Sequence, residues 1–325
     1  MVEKVDKGGD AIHIYDTLEW TQRFQFLTDC WDIVGMRWSP CGTRIAVWNN
    51  YSEFKFQVFA FHGAHLFTCA EDGFSFGPKS LSWSHCGRLL AVGLANEPRI
   101  RLFNTLTWTS ITDFGHPMII RSDEPEYSDC RIFEETEVIP DDIDGKIVAE
   151  WLQRKATCLT EVTARPAALP SIKNETVNAS KFQNQGIASM TFSENSRFLA
   201  CVCEKSPRTL WIWDIRELSL HTAIVLRQLI SSFEWEPLRR DSNNSQPSSS
   251  SLLPARMIFT SSSMENCFMW TEHGVVSFQL PDSSLEAFSD ETTSKKTSWN
   301  PKGKVFSMIS KSEFICCKVK SSKKL

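Results

Sequence analysis

A large aromatic residue, a polar turn and a short apolar run recur at a fixed interval along this chain. Met36-Arg37-Trp38-Ser39-Pro40-Cys41-Gly42 leads into Arg44-Ile45-Ala46-Val47, and Ser80-Leu81-Ser82-Trp83-Ser84-His85-Cys86-Gly87 leads into Leu89-Leu90-Ala91-Val92-Gly93. Trp38 to Trp83 is 45 residues, Ala46 to Ala91 is 45, and Phe59 to Phe103 is 44. In Arg99-Ile100-Arg101-Leu102-Phe103-Asn104, apolar and charged residues alternate, the period-2 signal of a half-buried strand. Residues 77–104 therefore read as three antiparallel strands in series.

Internal spacing extends the series. Trp38 to Ala46, Trp83 to Ala91 and Phe192 to Ala200 are each eight residues apart, and Trp299 stands eight before Ser307. The copy at Phe192 continues into Leu210-Trp211-Ile212-Trp213-Asp214, which holds a Trp-Asp pair, and Trp235-Glu236-Pro237 opens a damaged copy continued by Met257-Ile258-Phe259 and Phe268-Met269-Trp270. A period of this size with four short strands per unit predicts an all-β propeller of WD-repeat type. The blades are expected at about 31–69, 77–113, 186–226, 229–280 and 296–319, with a half blade at 11–28 whose first two strands are lacking. Chain closure by the C-terminal strands and loss of earlier blades are both compatible with that start. An incomplete ring of about five blades would expose two strand edges, so the chain alone is expected to self-associate.

Composition suits a packed β protein. Twelve Trp and 22 Phe stand against three Tyr, the formal charge is −4, and hydrophobic residues make up 42%. That balance gives no reason to expect nucleic acid or an anionic membrane as partner. No apolar run approaches the length of a membrane span and the N-terminus lacks a signal-peptide core, so a cytosolic protein with buried, reduced thiols is expected. Cys201 and Cys203 should share one face of a strand, and Cys316 and Cys317 opposite faces.

Two stretches break the repeat. Residues 119–185 contain acidic pairs such as Glu134-Glu135 and Asp141-Asp142, yet also strand-like runs at Arg131-Ile132-Phe133 and from Leu159 to Val162. A loose loop on one rim is the simpler reading; a partner-binding excursion is the other. Residues 237–254, rich in Ser and Asn, read as a disordered loop, and 318–325 as a solvated basic tail. Chemistry finds no foothold: phosphate-binding loops, zinc-protease helices and hydrolase elbows are all lacking, and the seven histidines are scattered. His62 and His65 flank a hairpin tip and read as exposed and idle; His116 reads as a structural or exposed histidine. No catalytic, cofactor-binding or metal-binding residue is predicted, and no partner-binding residue can be singled out.

Gly77-Pro78-Lys79-Ser80-Leu81-Ser82-Trp83-Ser84, Leu106-Thr107-Trp108 and Ile111-Thr112-Asp113-Phe114-Gly115-His116-Pro117 resemble the centrosomal and spindle-pole family of WD-repeat protein eight. Ala46-Val47-Trp48, Gly186 to Ser193, Leu210 to Ile215 and Phe233 to Pro237 follow the same order. The resemblance implies a non-enzymatic scaffold at centrosome, spindle pole and ciliary basal body, supporting microtubule anchoring, spindle assembly and ciliogenesis. It further implies a coiled-coil microtubule-anchoring partner and, in some lineages, minus-end-directed kinesin. Members carry about three more blades upstream, which favours loss of blades before Met1. A generic cytosolic assembly platform or substrate receptor is the alternative.

Overall fold

The computed structural model describes residues 1–5, 8–50, 53–70, 76–137, 157–171, 185–237, 254–262, 266–279, 296–300, 305–309 and 314–318. Among them every regular element is a strand. β1 (Val2–Glu3), β2 (Ala11–Tyr15) and β3 (Gln22–Leu27) form a three-stranded sheet. Two four-stranded antiparallel sheets follow: β4 (Ile33–Trp38), β5 (Arg44–Asn49), β6 (Lys55–Ala60) and β7 (His65–Ala70), then β8 (Pro78–Trp83), β9 (Leu89–Leu94), β10 (Arg99–Asn104) and β11 (Thr109–Gly115). The next strands are β12 (Ile119–Ile120), β13 (Arg131–Glu137), β14 (Thr157–Glu161), β15 (Ala167–Ala168), β16 (Ile187–Phe192), β17 (Phe198–Cys203), β18 (Ser206–Asp214) and β19 (Ser219–Val225). A further four-stranded sheet contains β20 (Ile230–Trp235), β21 (Arg256–Ser261), β22 (Asn266–Thr271) and β23 (Gly274–Gln279). β24 (Lys296–Trp299), β25 (Val305–Ile309) and β26 (Phe314–Lys318) form the last, three-stranded sheet.

The chain divides into two compact units. One comprises Met1–Pro117, Ile172–Phe192 and Cys201–Lys205; the other comprises Met118–Ser171, Ser193–Ala200 and Ser206–Leu325.

Within the repeats, the same local bonds recur because the same residue types return at the same places. In the hairpins after Trp38, Trp83 and Phe192, a serine hydroxyl accepts the backbone N–H five residues on: Arg44 N to Ser39 Oγ at 3.0 Å, Leu89 N to Ser84 Oγ at 3.0 Å, Phe198 N to Ser193 Oγ at 2.9 Å. The turn then needs one residue in the left-handed region. Gly42 (φ 70°) and Gly87 (φ 68°) supply it without strain, and Ser196 takes the same position at φ 59°.

The hairpin between third and fourth strands has its own device. Asp214 Oδ1 accepts the N–H of Arg216 at 2.9 Å, Asn104 Oδ1 that of Leu106 at 2.9 Å, and Asp16 Oδ1 that of Leu18 at 2.9 Å. Each turn carries a left-handed residue shortly afterwards, Leu218, Trp108 and Trp20 respectively. The aspartate of the Trp-Asp pair is therefore a turn-forming residue, and β2 and β3 occupy third- and fourth-strand positions. Where the sequence leads one to expect a half blade of two strands at 11–28, the structure adds β1, paired to β2 through Val2↔Ile12 and Glu3↔Ala11. Its two residues are too few to register as a periodic run.

Neighbouring sheets are stapled by indoles. Trp83 Nε1 donates to the carbonyl of Arg37, the residue before Trp38, at 3.2 Å; Trp299 Nε1 donates to the carbonyl of Glu234, the residue before Trp235, also at 3.2 Å. One bond per junction is worth about 1 kcal/mol net. Trp83→Phe, which removes the donor together with the pyrrole half of the buried indole, is expected to lower stability by about 1–3 kcal/mol in urea melts; an unchanged midpoint would show the staple to be idle. The repeat aromatics do not all share one environment, however. Trp83, Phe192, Trp235 and Trp299 are buried, whereas Trp38 is 45% exposed.

The largest departure from the sequence-based expectation lies in 119–185. Its described residues are not a loose loop. β13 pairs antiparallel with β14 and parallel with β19, in register from Arg131↔Thr222 to Glu134↔Val225, and the resulting sheet has the order β14-β13-β19-β18-β17-β16. Ile132 and Phe133 bury their side chains there, which supplies the apolar driving force. β12 and β15 add a short pairing, Ile119↔Ala168 and Ile120↔Ala167. The Ser-rich stretch, Asp141-Asp142 and the tail beyond Lys318 lie outside the described residues.

Candidate interaction surfaces

The buried histidine of the Gly-His-Pro run is occupied with holding strands together. His116 is buried; its Nδ1 lies 2.8 Å from the Pro98 carbonyl and its Nε2 lies 3.1 Å from Cys201 Sγ. A carbonyl only accepts, so Nδ1 carries the proton and Nε2 is left to accept the thiol proton. Burial pushes the imidazole down to about 4, which fixes it as neutral and rules it out as a proton shuttle near neutrality. The alternative of an exposed His116 is thereby corrected. His62 and His65 are exposed, and His65 Nε2 lies 2.7 Å from Thr68 Oγ1. Among the described residues no group of His, Cys, Asp and Glu is placed to hold a metal ion.

Cysteines divide by position. The expectation of buried thiols holds for Cys30, Cys130, Cys201, Cys203 and Cys267 and fails for Cys41, Cys86 and Cys316, which are exposed. Cys41 and Cys86 sit in equivalent turns, each with its Sγ 3.3 Å from the hydroxyl of the serine two residues before it. The Ser39 and Thr43 hydroxyls bring the Cys41 thiol down to about 7, and among the described residues no basic or acidic side chain bonds to it to complete a catalytic set.

Two concave surfaces stand out. The first is a polar cleft of about 840 Å³ built by the insertion, with Glu134, Glu135 and Glu137 of β13 facing Arg208 and Arg227. Glu135 accepts from the Thr157 hydroxyl at 2.7 Å and from the Arg227 N–H at 2.9 Å, Glu137 pairs with Arg227, and Asn266 Nδ2 donates to Thr157 Oγ1 at 2.8 Å. Arg131 anchors the same hairpin, bonding Glu161 at 2.8 Å and the His273 carbonyl at 2.9 Å. Most charges in this cleft are thus already satisfied from within.

The second is an apolar groove of about 420 Å³ lined by Met1, Ile12, Ile14, Trp20, Met36 and Trp38, with His13, Tyr15 and Ile45 completing it. Its floor continues a buried cluster of Ile12, Ile33, Ile45, Val47 and Phe59. Sequence reasoning located neither surface. The Arg131-Ile132-Phe133 run was the one legible signal for the cleft, and Trp38 looked like any other repeat aromatic.

Comparison with known proteins places these observations. No protein-family model matches the chain. It is 27% identical over 314 residues to the mouse WD repeat-containing protein WRAP73, covering 95% of this chain and 62% of that protein. It is 24% identical over 243 residues to an uncharacterized WD repeat-containing protein of Schizosaccharomyces pombe, covering 72% of this chain and 44% of the other. The chain therefore spans less than two thirds of either relative. Solved structures that it resembles include the WD40 repeats of RRP9 (TM-score 0.41, 10% identity, 76% of this chain and 51% of that one). Sqt1 of Saccharomyces cerevisiae is another (TM-score 0.43, 12% identity, 84% and 54%).

Proposed function

Because this chain belongs to the WD-repeat proteins, we propose that it is a non-enzymatic scaffold or adaptor acting at the centrosome, spindle pole and ciliary basal body. The observation that carries the reading is the 27% identity to WRAP73 across 95% of the chain, joined to the family resemblance of Gly77 to Pro117. The site chemistry agrees with it. His116 is held neutral by burial, among the described residues no base bonds to the exposed Cys41, and the two concave surfaces are broad. Rigid antiparallel sheets present such surfaces without rearrangement, which suits a platform that holds other proteins in place.

In this reading the partner is a coiled-coil protein that anchors microtubules, with minus-end-directed kinesin as a further associate, and the cytoskeleton is the site of action. Expression of the tagged chain in dividing and ciliated cells, imaged against a pericentriolar marker, is expected to show enrichment at poles and basal bodies. A diffuse signal in both would remove the localisation. Recovery of stable partners from the same diffuse cells would then favour the generic assembly platform.

A further inference from the structure

We propose that the polar cleft built by β13 and β14 is a docking site for an arginine side chain of another polypeptide, with an acidic residue of the same segment set against Arg208. The cleft is more than a group of carboxylates, because the chain of hydrogen bonds across its floor runs in one direction only. Glu135 accepts at both oxygens, from the Thr157 hydroxyl at 2.7 Å and from the backbone N–H of Arg227 at 2.9 Å. A carboxylate only accepts, so the single hydroxyl proton of Thr157 is spent on Glu135, and Thr157 Oγ1 receives from Asn266 Nδ2 at 2.8 Å. This fixes the Asn266 amide with its carbonyl oxygen turned away from Thr157. Asn266 is 5% exposed and lines the cleft, and its Oδ1 accepts no side-chain or backbone hydrogen bond among the described residues. A nearly buried amide oxygen held in this way calls for a donor from outside the chain.

The charges around that oxygen decide which donor fits. The Arg227 guanidinium is paired with Glu137, and Arg208 spends one N–H on the Arg227 carbonyl at 3.0 Å. Two exposed groups of the cleft are left with no ion-pair partner among the described residues, the Glu134 carboxylate and the Arg208 guanidinium. A cationic donor satisfies Asn266 Oδ1 and Glu134 together. Arginine suits the place better than lysine, since its planar fork carries several N–H groups in fixed directions and can reach an amide oxygen and a carboxylate at once. Its aliphatic stem then has Leu169 and Pro170 on the cleft wall to lie against. Arg208 adds a second requirement, an anion, which a metal ion or a polyamine does not bring and an acidic residue beside the arginine does. Both charges on one ligand therefore point to a polypeptide. Glu134, Glu135 and Glu137 against Arg208 and Arg227 leave one negative charge in excess, so the arginine is the anchor and its acidic neighbour the selector. The inference does not depend on where in the cell the protein acts, and a diffuse signal on imaging would leave it standing.

The test uses the full chain and fluorescein-labelled hexapeptide pools, read by polarisation. One pool has arginine fixed at a central position and mixed residues elsewhere; matched pools carry citrulline or lysine in its place. Saturable binding of the arginine pool is expected, about tenfold weaker with citrulline, which keeps the shape and loses the charge, and about threefold weaker with lysine. Fixing glutamate beside the arginine should strengthen binding about threefold, and Arg208→Gln should erase that gain while the preference for arginine stays. Glu134→Gln should weaken binding about tenfold. Glu124→Gln, exposed and outside the cleft, should change nothing. Glu124, Glu134 and Arg208 are all exposed, so these variants are expected to fold, and matching urea midpoints would establish it. Absence of saturable binding, equal binding of the citrulline or lysine pool, or binding that ignores Glu134 would overturn the proposal. So would spermine binding more tightly than the best peptide pool, because the occupant would then be a free polyamine.

Discussion

Trp270→Ala is expected to destabilise the protein by about 4 kcal/mol, close to the upper end for a single core truncation. Trp270 on β22 is wholly buried, and its ring meets three others edge-on: Phe198 on β17 at 5.1 Å, His221 on β19 at 5.6 Å and Trp235 on β20 at 5.6 Å between centroids. Its Nε1 also donates to the buried hydroxyl of Thr222 at 3.3 Å. Alanine removes one of the two indoles at this junction, leaves a cavity bounded by stiff rings that cannot collapse into it, and takes one partner from the Thr222 hydroxyl, which keeps His221 Nδ1 at 2.7 Å. Each aromatic pair adds about 0.5–1.5 kcal/mol beyond its area, so the loss is spread over contacts from three strands. Trp20→Ala, on an exposed turn, should stay within about 0.5 kcal/mol. Urea unfolding of the two variants measures the contrast, and a loss below 1 kcal/mol at Trp270 would show that the aromatic cluster does not couple these sheets.

Acidification is expected to have the second largest effect, and His116 is its main source. The imidazole is held at about 4 in the folded chain, below the ordinary histidine value of 6.5, because burial penalises the charged form. A histidine depressed by folding contributes stability that is fully present above its unfolded pKa and is lost as pH falls toward the folded one, since the unfolded chain takes up a proton that the folded chain refuses. The window is therefore pH 6.5 down to about 4, and the loss across it is roughly 3 kcal/mol. His221 is lowered by burial as well and adds a smaller slope of the same sign. Thermal melts between pH 7.5 and 4.5 should show Tm falling through this range, and His116→Gln should flatten most of the slope at some loss of stability at pH 7. An identical slope in the variant would move the effect elsewhere.

The cases of Trp83 and Trp38 show how far sequence reading reached. Both end the first strand of a repeat, both precede Ser-x-Cys-Gly, and the spacing treats them alike. Trp83 is buried with its indole bonded to the neighbouring sheet, whereas Trp38 lies open on a groove. The difference is not in the residues around Trp38 but in what stands opposite, which no local pattern encodes. His116 is similar: the Gly-His-Pro run announced a structural histidine, but the thiol that caps its ring lies 85 positions away, at Cys201.

The sequence by itself determined the interior of each sheet. Alternation set strand faces, serine and glycine closed the first hairpins, Asp16, Asn104 and Asp214 closed the later ones, and a period near 45 residues announced that the unit repeats. Those are interactions between residues close along the chain, so residue type and spacing suffice to specify them. Only the tertiary structure decided that β13 would lie parallel to β19 and carry a polar cleft, and that the aromatic of β4 would be left facing solvent. Such outcomes depend on pairings between distant segments, where many partners satisfy the same alternation and the choice among them is made by the burial that the assembled sheets allow.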